Sequence, residues 1–163
     1  MARVLNRPIS HISYALPEIA AVVEHWSSVL GAGPFFLIDR VQFDEVTYDA
    51  RPAVWEHAGA FGQWGALCIE LQEIVEASPP HVAALLTPGP MPVVNHVAYV
   101  SDDPEADSAE LSAAGHELFL HAKFGGIEVW FHDTTALFGH AIEIHRASAN
   151  LDAAFERIAT VAA

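Results

Sequence analysis

The chain has 163 residues, enough for one domain or for two small modules sharing a core. Its formal net charge of −14, from 21 acids against 7 bases, excludes the clustered basic surface that nucleic acid requires. No apolar run reaches the roughly 18 residues of a membrane span. The single cysteine, Cys68, excludes an internal disulfide and fits a reducing compartment. The basic N-terminal residues 1–7 are followed by no apolar leader, so the expected location is the cytoplasm.

In chain order, residues 7–16 predict a first strand. Pro17 then suits the first position of a helix, where its missing N–H costs nothing. Ile19, Val22, Val23, Trp26, Val29 and Leu30 recur at helical spacing, and Gly31 ends the run. Residues 35–43 are β-rich, 49–52 read as a turn, and 54–61 as a third strand. Gly62-Gln63-Trp64-Gly65 reads as a tight turn, and 66–74 as a strong strand. A proline-rich connector, 75–92, holds a short helix over 81–86. The pattern then repeats. A strand runs from Val93 to Val100, Asp102 or Asp103 caps a helix with Pro104 at its first position, and Gly115 ends that helix. Strands follow over 117–121, 127–132 and 140–146, with the Gly125-Gly126 turn between the first two. The expected organisation is a β-α-β-β-β module over 7–74, the connector, a second such module over 93–147, and a C-terminal helix over 148–163. Asn150 is the expected cap of that helix. Its apolar face, Leu151, Ala154, Phe155 and Ile158, is expected to pack outside the core or against a partner subunit.

The duplication carries chemistry with it. Ser10-His11-Ile12-Ser13-Tyr14 is matched by Asn95-His96-Val97-Ala98-Tyr99, and Ile69-Glu70-Leu71 by Ile142-Glu143-Ile144. A self-similar unit with one bare sheet face must bury that face against its twin. Strand side chains alternate, so Ser13 and Ala98 share a face with the histidines and leave room for a bound molecule. A lone histidine on a strand is ordinarily a satisfied core residue, and a lone glutamate a solvated one. Two of each at equivalent places point instead to one divalent ion held by His11, Glu70, His96 and Glu143. Imidazole and carboxylate together suit Zn, Ni, Co, Mn or Fe.

On these motifs, over about residues 7 to 147, the chain resembles the vicinal oxygen chelate superfamily. That group includes glyoxalase I, methylmalonyl-CoA epimerase, extradiol dioxygenases and the bleomycin and fosfomycin resistance proteins. Phe61-Gly62-Gln63 is similar to a subgroup of glyoxalase-like members. The resemblance implies an α+β fold, two βαβββ modules forming a curved mixed sheet around a central metal and ligand cavity. It also implies a metal-dependent isomerase, epimerase or lyase. The substrate would be a small α-hydroxy or α-keto carbonyl compound or thioester, passing through an enediolate-type intermediate. Glu143 would be the base. Glu56, on the third strand, would be its acid/base partner as in the epimerases, or else a solvated strand residue; His57 would face the other way. His145 shares a face with Glu143, and His132 is placed at a pocket mouth. Arg40, Arg51, Lys123 and Arg146 are the available anchors for an anionic substrate. The alternatives are an Fe(II) extradiol-type dioxygenase and a non-catalytic, resistance-type binding protein. A homodimer with a small-molecule substrate is expected.

Overall fold

The computed structural model describes residues 6–161. Residues 1–5, on which most of the reading of a missing leader rests, and residues 162–163 lie outside that range. Residues 9–78 hold β1 (Ile9–Ala15), α1 (Ile19–His25), β2 (Phe36–Val41), β3 (Glu45–Tyr48), β4 (Arg51–Pro52), β5 (Val54–Trp64) and β6 (Leu67–Ser78). Helix α1 runs on into a wider π-helical turn over Trp26–Leu30, which Gly31 ends at φ +66°. After α2 (Pro80–Leu86) come β7 (Val93–Ser101), α3 (Pro104–Ala113), β8 (Leu118–Phe124), β9 (Ile127–His132), α4 (Thr135–Phe138), β10 (Ala141–Arg146) and α5 (Ala149–Val161). No described helix is long and apolar enough to cross a membrane.

All ten strands form one curled mixed sheet, in the order β2-β5-β6-β1-β7-β10-β9-β8-β3-β4. Its centre has two-fold character. β1 runs parallel to β6, β7 runs parallel to β10, and β1 and β7 pair antiparallel where the two halves meet. The one-residue alternation of strands then sorts the side chains. Ile69 and Leu71 pack outward with Leu16 and Ile19 beneath α1. Val97, Ile142 and Ile144 pack outward with Leu111 of α3. Trp55, Phe119, Phe131, Val82, Leu86 and Leu151 form a third cluster that includes residues of α2 and α5.

Four sequence expectations are corrected. Gly62 lies inside β5 rather than in a turn; the turn follows at Gly65, where φ is +63°. Gly62 is small for a packing reason: a Cβ there would lie 2.8 Å from Phe35 Cδ1 and 3.2 Å from Gly33 Cα. Gly62→Ala is therefore expected to lower stability by about 1–3 kcal/mol, read by urea unfolding. The residues after β2 also leave the first module. β3 pairs instead with β8, and β4, joined to β3 by a tight turn through Asp49 and Ala50 at φ 48° and 56°, pairs with β3 as the far edge of the sheet. Ser148, not Asn150, caps α5, its Oγ accepting from Leu151 N at 3.2 Å. Asn150 donates to the Gly125 carbonyl, 3.1 Å away. Finally, α5 does not lie outside the core. Leu151 is buried in the third cluster, and the Phe155 ring centroid lies 6.2 Å from that of His11 and 6.4 Å from that of His145.

Candidate metal centre

The central strands bring the repeated motifs to one point. The register sets Ser13 of β1 opposite both Glu70 of β6 and His96 of β7, and it sets Glu143 of β10 opposite Ala98. His11, Glu70, His96 and Glu143 are all at most 5% exposed. His11 Nε2 lies 3.1 Å from His96 Nε2, 3.5 Å from Glu70 Oε2 and 3.3 Å from Glu143 Oε2. His96 Nε2 lies 3.4 Å from Glu70 Oε2 and 3.1 Å from Glu143 Oε2. Donors bound at about 2.1 Å to one ion stand roughly 3.0 Å apart in octahedral geometry and roughly 3.4 Å apart in tetrahedral geometry. The five separations, 3.1–3.5 Å, overlap the range that a shared ion would set. Two overlapping groups meet the distance requirement for holding a metal: His11 with Glu70 and His96, and His11 with Glu143 and His145.

The electrostatics agree. Burial opposes charging His11, but Glu143 and Glu70 outweigh it and raise its pKa to about 9. The same balance raises His96. Burial would push both carboxyls up, yet the histidines around them hold Glu70 and Glu143 well below the ordinary carboxylate range. A divalent cation would compensate such groups in their deprotonated forms. His96 is already oriented for that role. Its Nδ1 lies 2.6 Å from Asn95 Oδ1, and the Asn95 amide donates to the Leu86 carbonyl, which leaves the oxygen as the acceptor. Nδ1 therefore carries the proton, and Nε2 turns its lone pair to the cluster. Asn95→Ala is expected to lower divalent-metal affinity by about 10–100-fold, measured by competition with a chelating dye.

Two further histidines belong to the cluster. His145 Nε2 lies 2.9 Å from Glu143 Oε2, on the shared face expected of it. His57, 2% exposed, has Nε2 3.6 Å from Glu70 Oε1. The expectation for β5 is thus reversed: Glu56 turns away and pairs with Arg40, while His57 turns in. The missed signal was Trp55, a bulky apolar residue two positions before His57 and so on the same strand face. His132 lines no mouth; it is fully buried, bonded to Ser108 Oγ at 2.9 Å and to the His116 carbonyl at 3.0 Å. Lys123 pairs with Glu45 and Glu128, and Arg146 with Glu105 and Glu128, on the surface away from the cluster. Burial pushes the Cys68 thiol up to about 12, with Glu70 adding to the effect, so it stays protonated.

A family of known sequence pattern covers most of this framework. The sequence model of the glyoxalase/bleomycin resistance protein/dioxygenase superfamily matches residues 10–138. The chain belongs to that superfamily. No curated protein matches it in sequence. Among solved structures, a hypothetical protein from Bacillus halodurans C-125 is similar with a TM-score of 0.60 at 18% identity, over 87% of this chain and 95% of that one. Methylmalonyl-CoA epimerase from Mycobacterium tuberculosis gives 0.59 at 18% identity, over 89% and 91%. A Streptomyces coelicolor methylmalonyl-CoA epimerase variant in complex with 2-nitronate-propionyl-CoA gives 0.58 at 20% identity, over 88% and 98%. At these identities the likeness is one of fold, and the superfamily's chemistry must be argued from the residues of this chain.

Proposed function

We propose that the chain is a metal-dependent isomerase, epimerase or lyase that moves the proton α to a carbonyl in a small α-hydroxy or α-keto compound or thioester. The observation that carries this reading is the convergence of His11, His96, Glu70 and Glu143 on one point, with a cavity of about 60 Å³ opening on His11, Glu70 and Glu143. One divalent ion, Zn, Ni, Co, Mn or Fe, would be held there by those four residues; when bound, it polarises the carbonyl and stabilises the developing oxyanion. Glu143 is the proposed base. Its carboxyl is held ionised, and His145, 2.9 Å away, fixes one of its oxygens. Glu143 takes the α-proton, leaving an enediolate-type intermediate, and returns it or leaves reprotonation to a second group. His57, on the opposite half of the sheet, replaces Glu56 as that second group.

Metal-loaded protein in deuterium oxide is the test. The expected result is deuterium at the α-carbon of a substrate from a panel of 2-hydroxy ketones, 2-oxo aldehydes and acyl thioesters, dependent on the ion and lost in Glu143→Gln. Methylmalonyl-CoA, the molecule held in a solved epimerase structure, belongs in that panel. A second reading has one observation behind it: His11, His96 and Glu70 alone make a two-histidine, one-carboxylate set, the donor set of Fe(II) oxygenases. Oxygen consumption by the iron-loaded chain with a catechol, without α-deuteration, decides for it. Metal-free binding of a small apolar molecule, with neither reaction, decides for a resistance-type binding protein.

A further inference from the structure

Around the proposed ligands lie buried polar atoms for which the protein itself supplies no partner, some of them on residues already placed in the cluster. Among the described residues, eight buried side-chain nitrogen and oxygen atoms have no hydrogen-bond partner, and six of them belong to residues lining the 60 Å³ cavity: Gln72 Nε2 and Oε1, Trp55 Nε1, and Nδ1 of His11, His57 and His145. Gln72 is 0% exposed and sits two positions past Glu70, hence on the same face of β6; Trp55 is 3% exposed and sits two positions before His57 on β5. A buried donor left without an acceptor costs about 1–3 kcal/mol, so such groups gathered around one cavity are groups that a ligand completes. The indole N–H can only donate, so its counterpart is an acceptor oxygen. The Gln72 carboxamide offers both a donor and an acceptor, which suits a hydroxyl, donating to Oε1, beside a carboxylate or carbonyl oxygen that accepts from Nε2.

The second observation is the chamber next door. A larger cavity of about 220 Å³ shares His11, Ile38, Phe61, Phe124 and His145 with the first and lies beneath α5. Its remaining lining is apolar, including Phe36, Ile127 and Phe155, with Arg157 the only cation. Such a wall favours hydrocarbon and offers little to a multiply phosphorylated carrier.

Resting on the metal-dependent reading above, we propose that the two chambers together select a 2-hydroxy or 2-oxo carboxylic acid with an alkyl or aryl substituent. Its oxygen-bearing head sits against Trp55 Nε1 and the Gln72 carboxamide beside the cluster. Its apolar tail lies in the outer chamber against Phe155. Gln72 and Trp55 are thus specificity-determining residues, and α5 forms the roof of the tail site.

The test titrates nickel-loaded full-length chain with lactate, 2-hydroxyoctanoate and propionyl-CoA by calorimetry, after nickel binding itself has been measured. 2-Hydroxyoctanoate is expected to bind at least about tenfold more tightly than lactate, because each buried methylene adds affinity. Gln72→Leu and Trp55→Phe are each expected to weaken both acids about tenfold with nickel binding unchanged. Phe155→Ala is expected to erase the advantage of the longer acid and leave lactate as it was. Equal affinity for the two acids, or propionyl-CoA binding as tightly as 2-hydroxyoctanoate, overturns the tail assignment. Acid affinities unmoved by Gln72→Leu and Trp55→Phe overturn the head assignment. A chain that binds nickel but neither acid overturns the inference and leaves the metal reading standing, whereas a folded chain that binds no nickel removes that reading itself.

Discussion

Purified protein is expected to carry about one divalent ion per chain, and the His11→Ala and His96→Ala chains to carry almost none. Elemental analysis reads the difference directly. The expectation follows from what the cluster costs without an ion: two carboxylates and two imidazoles, each at most 5% exposed, with the imidazole nitrogens 3.1 Å apart. Protons fill the gap only in part. Two imidazolium rings at that distance repel, so the cluster takes up its protons in succession. His11 has a folded pKa of about 9, above its ordinary 6.5. Its contribution to the metal-free fold is complete below about pH 6.5 and is lost as the pH rises towards about 9. Glu70 and Glu143 run the other way: their pKa values are lowered, so their contribution is present above the ordinary carboxylate range and is lost in acid. An ion binds the deprotonated histidines, so it replaces the stabilisation that alkaline pH removes. At a free concentration of about 100 times Kd it adds about 2.7 kcal/mol, or roughly 5–10 °C in Tm for a chain of this size. The gap in Tm between loaded and chelator-treated protein is expected to be wider at about pH 8.5 than at about pH 6.5. A gap of zero at both, in a chain without metal, would make the cluster an ion-pair network only.

The centre of this site was legible because two independent sequence signals coincided. Apolar residues flank both glutamates, which fixes β6 and β10 as buried strands. The repeat then pairs those strands with the two histidine strands. Alternation did the rest, sending Ile69, Leu71, Ile142 and Ile144 outward to the helices and the four polar residues inward. The periphery was not legible, and for physical reasons. A pairing partner cannot be read from a strand's own residues, so nothing in Glu45–Tyr48 announced that it would leave its module for β8. An amphipathic helix declares that it has an apolar face, not which surface receives it. Leu151, Ala154, Phe155 and Ile158 therefore marked α5 as a helix without placing it over the cavity. Glu56 was preferred to His57 by analogy, although Trp55 already marked the inward face of β5. The pairing with β6 shifts register between Glu56 and His57, where the outer face carries the Arg40–Glu56 pair.

Replacing Glu143 by Gln separates binding from proton transfer. The amide has the size of the carboxylate, and its carbonyl oxygen still coordinates an ion, but it has no basic lone pair for a proton on carbon. Metal content is therefore expected to stay near one per chain, while α-deuteration falls by about 10²–10⁴-fold, the usual contribution of a positioned general base. Glu70→Gln is the matched control. Both carboxylates are buried, ionised and within 3.5 Å of the same two imidazole nitrogens. Loss of negative charge at the cluster is thus common to both variants, and any difference between them reports on position. Glu143 is held through its Oε2 by His145 Nε2 at 2.9 Å, and the residue lines the cavity. Glu70 has His57 only at 3.6 Å, too long for a hydrogen bond, and it sits beside Gln72, which the head-group assignment needs. Glu70→Gln is expected to slow exchange by no more than about tenfold and to weaken the ion more than Glu143→Gln does. Equal losses of exchange in the two variants would mean that the reaction depends on the charge of the cluster and not on a base at Glu143. A loss confined to Glu70→Gln would move the base to β6 and make His57 its partner on the adjacent strand.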